Sequence, residues 1–545
     1  PGLHCWVGPI PRPYQSGALA FVAQSSAVAG SACNSAWDRG IGFSAVITTG
    51  NQCNFSLADA LNWLAKDLDT RAIVCYIEQF ADLPAFAAGV RRCRDAGKAV
   101  IAIATGRSAA ARQITLSHTG ALTAGPEASA AALEAMGVIQ AEELDDALDY
   151  ASLFVQLPPR AWRHVKNVGV VTASGGYSAL AADALEKHGL ACPPPPKSVI
   201  ETLPEVVPHN NPMDLTATIF AWADRFPKVI DAFVQAQEYD AVAVMFGAWE
   251  GLERWFAPVA AWAYRANKPV FLAGNEVMAL GDDMRRFLAR DPMPVVHGAG
   301  RVARALAGMK LFHELTPRIG SDWATAKTRR WSGPRLATYP DLAPPLRKQG
   351  VTMAAWCDAA DTAATGKLGD RLVVKLESPE LLHKSDAGAV QIGVAAQDLA
   401  KVVKRLEGVA RRKKLRDYRV IAQEQIIDAE LELLVGAVVD DTVGPVLTIG
   451  LGGITAELQQ RFVHALCPID AALARTLIGR LGIAPLFDGY RGRAPLDPSL
   501  FDLLAAVSRW VYDHRDSLRE LDLNPVFLRP QGNSAVAGDA LAVFR

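Results

Sequence analysis

The chain has 545 residues, of which 50% are hydrophobic and 21% are charged, and its formal net charge is -1. At roughly 100–200 residues per domain, this length predicts three or four soluble domains. The near-neutral charge gives no electrostatic case for nucleic acid or an acidic membrane surface as a partner, and no apolar run approaches the ~20 residues that span a bilayer.

The first part of the chain alternates apolar runs with helical patterns. The strand-like runs lie at residues 19–24, 72–77 and 99–104, and the helical patterns at residues 27–39, 57–66 and 83–97. The runs are apolar on both faces, which is typical of buried parallel strands. This alternation predicts an open parallel sheet with helices on both of its faces.

A second unit of the same kind begins near Val165 and ends near Leu315. Its predicted strands lie at residues 168–172, 241–246 and 269–273, and its first helix at residues 179–188. Gly189 stands where the C-terminal cap of that helix is expected. This part of the chain therefore predicts a second parallel sheet.

The last part of the chain changes character after a stretch rich in Arg, Lys, Pro and Gly. We interpret that stretch as a linker because it holds little apolar periodicity. Beyond it, strands are predicted at residues 372–375, 420–424, 433–439, 525–528 and 534–537. Their alternation and the closing hairpin indicate an antiparallel α+β domain.

The eight cysteines are scattered along the chain and form no CxxC pair. This spacing argues against a zinc site. In so long a chain it is typical of reduced core thiols, so we expect a cytoplasmic protein.

The local pattern with the most chemical content is the loop Ser117-His118-Thr119-Gly120-Ala121. An imidazole is a nucleophile at neutral pH, and small neighbours let backbone N–H groups approach a phosphate. On spacing alone, however, a loop histidine that merely caps a helix is the more common interpretation.

Two other turns each follow a predicted strand and open a helix. One contains Gln24 and Ser25, and the other contains Ser174, Gly175 and Gly176. A helix N-terminus carries a partial positive charge and free N–H groups, so both turns are candidate phosphate sites. Either turn alone is weak evidence, because glycine-rich turns are often only tight turns.

The C-terminal part carries residue types that suit a nucleotide triphosphate with Mg²⁺. They are Lys375 at a strand end, a glycine-rich run at residues 449–454, and Asn524 and Asp539 near the end of the chain. Mg²⁺ prefers oxygen ligands of this kind. Each residue by itself is more often a surface charge or a turn, and no Walker A pattern is present.

In this order, the motifs resemble those of the NDP-forming acyl-CoA synthetases, which include ADP-forming acetyl-CoA synthetase and succinyl-CoA synthetase. The resemblance runs from about residue 15 to the end. It implies two flavodoxin-like, succinyl-CoA synthetase-like parallel-sheet domains followed by an ATP-grasp α+β domain. The implied boundaries are a remnant of a CoA-binding domain at residues 1–14, ligase domains at 15–160 and 161–318, a linker at 319–345, and the ATP-grasp domain at 346–545.

The resemblance also implies roles for individual residues. His118 matches the phosphohistidine, with Thr119 and Gly120 in its loop, and Glu78 matches the glutamate that holds the imidazole. His383 resembles a second histidine that carries the phosphoryl group between sites. The remaining matches are phosphate contacts at Ser25, Ser174, Gly175 and Gly176, nucleotide contacts at Lys375, Gln423, Glu424, Glu432, Gly452 and Gly453, and Mg²⁺ ligands at Asn524 and Asp539.

The activity so implied joins a carboxylic acid to CoA with ATP and Mg²⁺, through a phosphohistidine and an acyl phosphate, in a homo-oligomer. Four features depart from the family pattern. Most of the N-terminal CoA-binding domain is missing, Ser26 replaces a glycine, the stretch Gly50–Asn54 lacks an aspartate, and residues 387–389 have one glycine fewer. The departures predict reshaped pockets with the chemistry retained.

The acid itself is suggested only by an aromatic cluster. Its members are Phe220, Trp222, Phe246, Trp249, Trp255, Phe256 and Trp262. Core packing is the more common reason for such a cluster, and an acyl pocket for an aromatic, hydroxycinnamic-type acid is the alternative. Two further functions stay open, the ligase core of a protein acyltransferase and a non-catalytic CoA or nucleotide sensor, although the presence of His118 argues against both.

Overall fold

A computed structural model of the protein describes residues 15–545, apart from residues 107, 109, 112–124, 247–252, 275–281, 292, 320–322, 324, 382–383, 385–386 and 454–460. The chain divides into an N-terminal unit, Pro1–Thr325, and a C-terminal unit, Ala326–Arg545. Within the described parts of the chain, no helix is both long enough and apolar enough to cross a membrane.

The first sheet of the N-terminal unit has five parallel strands in the order β2-β1-β3-β4-β5. Its strands are β1 (Ser16–Ala23), β2 (Phe43–Thr48), β3 (Ala72–Ile77), β4 (Ala99–Ala104) and β5 (Ile139–Gln140). The accompanying helices are α1 (Ser26–Asp38), α2 (Leu57–Leu64), α3 (Leu83–Asp95), α4 (Pro126–Ala135) and α5 (Leu144–Gln156). The strands β3 and β4 are almost fully buried, because helices cover both faces of the sheet.

The second sheet repeats this arrangement with five parallel strands in the order β7-β6-β8-β9-β10. Its strands are β6 (Val168–Thr172), β7 (Met213–Asp214), β8 (Ala241–Phe246), β9 (Val270–Gly274) and β10 (Val295–His297). Its helices are α6 (Gly175–Lys187), α7 (Lys197–Ile200), α8 (Phe226–Gln235), α9 (Glu253–Ala263), α10 (Asp282–Arg290) and α11 (Ala299–Glu314), and 3₁₀ turns lie at Pro159–Ala161 and Ala217–Arg225. In both sheets the strands, numbered from the first of each, follow the order 2-1-3-4-5.

One hydrophobic cluster joins the two sheets, since it contains Phe21 and Leu148 as well as Val170 and Leu306. Beside it lies the buried Asp149 of α5. This carboxylate accepts hydrogen bonds from Arg39 Nε at 3.2 Å and from Arg304 Nη2 at 2.8 Å. A buried charge is tolerated when it is paired in this way. The predicted domain boundary at residue 160 therefore falls between two sheets that share a core, and it stays a prediction.

The C-terminal unit is built on two antiparallel sheets, ordered β11-β21-β19-β16-β17-β18 with β20 on β19, and β12-β15-β13-β14. Its strands are β11 (Leu336–Ala337), β12 (Trp356–Asp358), β13 (Arg371–Glu377), β14 (Val390–Ala395), β15 (Arg419–Glu424), β16 (Leu431–Asp440), β17 (Gly444–Leu451), β18 (Phe462–Leu466), β19 (Leu518–Leu528), β20 (Val536–Ala537) and β21 (Leu541–Phe544). Its helices are α12 (Tyr339–Lys348), α13 (Thr362–Thr365), α14 (Leu399–Lys413), α15 (Ala471–Arg480) and α16 (Ser499–Asp513), with 3₁₀ turns at Ala396–Asp398, Ala484–Phe487 and Tyr490–Gly492.

The predicted fold class, two parallel-sheet domains followed by an antiparallel α+β domain, is confirmed, but two local predictions differ from the structure. Helix α6 begins at Gly175 rather than at residue 179. The range predicted as a linker, 319–345, contains β11 and most of α12. Thr338 and Asp341 form a capping box that starts α12 in spite of its prolines.

Candidate functional site

The first sheet provides a crevice at the carboxyl ends of β1 and β3. From β1 the chain continues to β2 on one side, and from β3 it continues to β4 on the other side. The place between β1 and β3 is therefore a topological switch point, where ligands of open α/β sheets bind. Ser25 caps α1 on one side, where its Oγ accepts a hydrogen bond from Val28 N at 3.4 Å. Glu78 follows β3 on the other side. The structure thus brings the predicted Ser25 and Glu78 to one edge of the sheet.

A buried glutamine connects the two sides of this crevice. The Gln24 side chain is 7% exposed, and its Oε1 accepts hydrogen bonds from Glu78 N at 2.5 Å and from Gln79 N at 3.0 Å. The sequence indicated Gln24 only as part of the turn and did not predict this contact. A hydrogen bond between residues 54 positions apart leaves no local sequence pattern. The backbone of Glu78 is therefore fixed by the side chain of the residue that directly follows β1.

The neighbourhood of Glu78 is partly buried and polar. Burial raises the pKa of Tyr76, the negative charge of Glu78 raises it further, and a hydrogen bond with Thr105 lowers it. The net rise keeps the phenol neutral, so Glu78 supplies the negative charge at this strand end. Ser26, which replaces a glycine of the family pattern, begins α1 and is not among the residues with positive φ, so its side chain imposes no backbone strain there.

The second sheet opens its own crevice at the N-terminus of α6. Ser174 precedes that helix without a side-chain cap bond, and Gly175 and Gly176 are exposed in its first turn. A Cβ on Gly175 would lie 3.2 Å from Asp214 Oδ2. The Asp214 carboxylate also accepts a hydrogen bond from Thr216 N at 2.8 Å. The helix N-terminus thus has free donors, with a carboxylate beside them.

Four predicted residues, His118, Thr119, Gly120 and His383, lie outside the described residues. The segment with His118 follows β4 and precedes α4. Thr105, just after β4, donates its N–H to Ile77 O at 3.0 Å, directly before Glu78. The strand from which the His118 segment departs is therefore the neighbour of the strand that carries Glu78.

The C-terminal unit contains a buried network of alternating charges. Lys384 Nζ donates to Glu377 Oε1 at 2.9 Å and to Asp539 Oδ1 at 2.8 Å, while Lys375 Nζ donates to Gly538 O at 2.7 Å and lies 3.7 Å from Asp539. Burial raises the pKa of Asp539, but the two lysines outweigh it and hold the pKa below its usual value. The predicted Lys375 and Asp539 are thus direct partners.

Lys375 and Gln423 lie on one face of the four-stranded sheet. Val373 pairs with Gln423 and Lys375 pairs with Ile421, so these side chains share one face of the sheet. The residues between them point to the opposite face, which packs on α14. Gln423 is 2% exposed, and its Nε2 has no hydrogen-bond partner among the described residues. Glu424 points to the other face, where its Oε1 accepts a hydrogen bond from Ala355 N at 2.6 Å.

The glycine-rich turn after β17 packs directly on β16. Gly452 donates its N–H to Glu432 O at 2.7 Å, and a Cβ at Gly452 would come within 2.9 Å of the Glu432 backbone. Gly453 has a φ of +85°, which L side chains rarely adopt. Both glycines are therefore required by the backbone. The predicted nucleotide contacts Glu432, Gly452 and Gly453 are neighbours, so they could line one edge of a nucleotide site.

The residues predicted to hold Mg²⁺ suit a metal that arrives with a nucleotide. Within the described ranges, no three His, Cys, Asp or Glu side chains form a group that could hold a metal ion. Mg²⁺ usually takes one or two carboxylates, with water and substrate phosphates as its other ligands. Burial, followed by Asp539 and Glu520, raises the pKa of Asp522 to about 6, and the exposed Asn524 lies two residues further along β19. Asn524 and Asp539 carry oxygen atoms of the kind that a nucleotide-bound Mg²⁺ takes.

The fold and these sites define an α/β ligase with an ATP-grasp domain. A succinyl-CoA ligase-like flavodoxin domain matches residues 16–154, and an ATP-grasp domain matches residues 349–542. The chain is 28% identical to ADP-forming acetate–CoA ligase I of Archaeoglobus fulgidus, over 96% of this chain and 77% of that one. It is also 28% identical to a trans-feruloyl-CoA synthase from an unknown prokaryotic organism, over 96% of this chain and 76% of that one.

A shorter relative supports the same family. The chain is 32% identical to the beta subunit of ADP-forming acetate–CoA ligase II of Pyrococcus furiosus, over 33% of this chain and 77% of that subunit. A dinucleotide-forming acetyl-CoA synthetase of Ca. Korarchaeum cryptofilum, solved with phosphate and ADP, matches with 22% identity and a TM-score of 0.49, over 56% of this chain and 66% of that one. The chain belongs to the NDP-forming acyl-CoA synthetase family. It is an ADP-forming acid–thiol ligase, and the predicted use of ATP, Mg²⁺ and CoA agrees with this family.

Proposed function

We propose that this chain forms an acyl-CoA through a phosphohistidine at His118. The observation that carries the proposal is the Glu78 carboxylate at the β1/β3 switch point, fixed through its backbone by Gln24. A carboxylate that bonds one ring nitrogen of an imidazole orients the ring and leaves the other nitrogen free to take a phosphoryl group. The His118 segment begins from the strand next to that of Glu78.

The reaction divides into three balanced transfers. The His118 nitrogen attacks the γ-phosphorus of ATP, the bond to the β-phosphate oxygen breaks, and ADP leaves. A carboxylate oxygen of the acid then takes the phosphoryl group, which gives an acyl phosphate and frees the imidazole. The CoA thiolate attacks the acyl carbon, and inorganic phosphate leaves. The gain is that of nucleophilic catalysis, which replaces one difficult step by easier ones.

The C-terminal unit provides the nucleotide site in this proposal. Lys375 supplies a positive charge to the phosphates, and Gln423 Nε2, which lacks a partner among the described residues, donates to an acceptor on the nucleotide. Glu424, Glu432, Gly452 and Gly453 complete its walls. Bound Mg²⁺ neutralises phosphate charge during transfer, and Asn524 and Asp539 would hold it. Ser25, Ser174, Gly175 and Gly176 bind phosphate at two helix N-termini.

The direct test is phosphoryl labelling with [γ-³²P]ATP. We expect acid-labile, base-stable label on the wild-type chain and none on His118→Ala, because only a phosphoramidate has that stability pattern. His209→Ala, which changes an exposed loop histidine, is the matched control and should keep full labelling. Label that persists in the folded His118→Ala variant would refute the phosphohistidine.

A second experiment concerns His383. If it carries the phosphoryl group from ATP, then His383→Ala slows labelling of His118 by ATP but spares labelling by an acyl phosphate such as acetyl [³²P]phosphate. Unchanged labelling from ATP would remove His383 from the pathway. Equal loss from both donors would show that the substitution acts on His118 itself.

For the acid, we propose an aromatic, hydroxycinnamic-type substrate. Phe246, Trp255 and Phe256 are core residues, but Phe220 is 55% exposed and lies 5.7 Å from the Trp255 ring. A trans-feruloyl-CoA synthase is among the relatives, which supports this class. Hydroxylamine traps the acyl phosphate as a hydroxamate without any need for CoA. Ferulate should therefore give more hydroxamate than acetate or 4-hydroxybutyrate, and a preference for acetate would overturn the aromatic assignment.

A further inference from the structure

Two glutamines hold the backbone at Glu78 and Gln79 from opposite sides. We propose that Gln24 and Gln52, the glutamine clamp, are positioning residues that fix Glu78 for its work on the imidazole. The inference rests on the proposed function of Glu78 and adds two residues to it. Neither glutamine contacts the reacting atoms in the proposal, so both act through Glu78.

Gln24 forms the first half of the clamp. It follows β1 directly, and its own N–H donates to Tyr76 O at 3.3 Å, which continues the pairing of β1 with β3. This contact turns the side chain toward β3, where one amide oxygen receives the N–H groups of both Glu78 and Gln79. A shared acceptor for two successive donors fixes the direction in which the chain leaves β3.

Gln52 forms the second half. Its Nε2 donates to Gln79 O at 3.2 Å, and its Oε1 accepts a hydrogen bond from Leu57 N at 3.0 Å. The amide thereby connects the end of β3 to the first turn of α2. With Gln24 on its N–H and Gln52 on its carbonyl, the Gln79 backbone is held in both of its flanking peptide groups.

The backbone of Gln52 is held in an unfavourable conformation. Its φ is +58°, in the left-handed region that residues with a side chain seldom adopt. Such conformations persist where surrounding contacts determine them, and they concentrate at functional sites. Gln52 N donates to Thr49 O at 3.0 Å and so supports the turn. This is also the stretch, Gly50–Asn54, in which the sequence departs from the family pattern.

The physical consequence concerns the position of a carboxylate. Fixing the peptide on both sides of a residue removes most of the freedom of its Cα, which limits where its staggered rotamers can place the carboxylate. A misplacement of roughly 1 Å at a reacting group can cost about a hundredfold in rate. Loss of either glutamine should therefore reduce turnover without weakening substrate binding at distant residues.

The test uses Gln24→Met, which removes the acceptor at similar volume, and Gln52→Gly, which removes both side-chain bonds but accepts the positive φ. ATP-dependent hydroxamate formation with the preferred acid is measured, and each variant should lower kcat about tenfold with KM for ATP unchanged. Gln237→Met is the matched control, since that exposed glutamine bonds only to a local carbonyl. Thermal unfolding confirms which variants are folded, and Gln52→Gly remains usable if Gln24→Met is not.

The decisive measurement repeats both substitutions in a Glu78→Gln background. Residues that act only through Glu78 should have no further effect there, whereas independent effects would multiply. A full additional tenfold loss in that background would overturn the clamp, as would wild-type kcat in both single variants. If Glu78→Gln itself has wild-type kcat, the proposed function of Glu78 fails as well. A slow Glu78→Gln with unaffected glutamine variants refutes the clamp alone.

Discussion

The two parallel sheets of the N-terminal unit share one strand order but place their carboxylates differently. In the first sheet, Glu78 follows β3 and lies across the switch point from the Ser25 turn. In the second sheet, Asp214 ends β7, which lies on the other side of β6 from the switch point. The shared strand order therefore predicts a crevice in both sheets. The two crevices differ in whether the strand that carries the acid borders the switch point.

The hydrogen bonds of the two acidic segments support this difference. The backbone at Glu78 is held by Gln24, so its position is fixed by a residue that lies 54 positions away in the sequence. The Asp214 carboxylate instead accepts from Thr216 N, two residues along its own chain. The first arrangement fixes the backbone of an acid through a residue distant in sequence, and the second stabilises a local turn. We therefore propose imidazole chemistry for the first crevice and binding for the second.

The largest expected effect comes from exchanging the two acids for amides. Glu78→Gln keeps the shape but removes the charge, and we expect hydroxamate formation to fall about a hundredfold, within the range of general acid–base effects. Asp214→Asn keeps an oxygen for Thr216 N, so we expect less than about a threefold change by the same argument. Equal losses in the two variants would erase the distinction between the crevices. Glu186→Gln, on the exposed side of α6, is the control.

The next largest effect concerns the nucleotide site of the C-terminal unit and neither of the two crevices. Asn524→Ala and Asp539→Ala should each lose Mg²⁺-ATP affinity by about tenfold or more, which is about 1.4 kcal/mol, in titration calorimetry. Asp539→Ala also leaves Lys375 and Lys384 without their shared carboxylate, so its free energy of unfolding should fall by about 3–5 kcal/mol. Asn524 is exposed, and its variant should keep full stability. Normal affinity in both variants would refute the Mg²⁺ assignment.

The sequence predicted the elements that depend on local pattern and missed those that depend on distant partners. Apolar runs such as residues 72–77 and 99–104 became β3 and β4 within their predicted bounds. Helix α12 was missed because its prolines hid a signal that was present, the capping box of Thr338 and Asp341. Gln24 could not be recognised, since its role depends on a strand that begins 48 residues later.

The same limit applies to the candidate site. Glu78 was named because the family resemblance assigned it, and Lys375 and Asp539 also because their residue types suit a nucleotide with Mg²⁺. Lys384 and Gln52, which lie in the same contacts, were not named as site residues. Lys384 bonds Asp539 across 155 residues, and Gln52 bonds Gln79 across 27. Such contacts are set by the order of strands in a sheet, which a single sequence leaves open until the fold is known. The roles of the site residues accordingly stay predictions that the variants must test.

A smaller effect distinguishes binding at the second crevice. Gly176→Asp places a carboxylate in the first turn of α6, where it should stabilise the helix by about 0.3–1 kcal/mol. If a phosphate binds there, the same charge should lower hydroxamate formation about tenfold, because like charges repel at the site. Gly176→Ala has open space around its Cβ apart from Ser174 Oγ at 3.8 Å, and it serves as the neutral control. Full activity in the aspartate variant would place the phosphate elsewhere.

The smallest effects come from exchanging the first residues of the two corresponding helices, Ser26 of α1 and Gly175 of α6. Ser26 has an ordinary backbone, so Ser26→Gly should only increase the freedom of the unfolded chain and cost about 0.5 kcal/mol in urea unfolding. Gly175→Ser brings a Cβ to 3.2 Å from Asp214 Oδ2, so the Asp214 carboxylate, whose Oδ1 accepts from Thr216 N, must shift by a few tenths of an ångström. We expect this shift to break that hydrogen bond, at a cost of about 1 kcal/mol, so this exchange should be the more damaging of the two. If Ser26→Gly instead lost more stability than Gly175→Ser, then Asp214 would not be the reason for a glycine at position 175. The contrast between the two crevices would then depend on Glu78 alone.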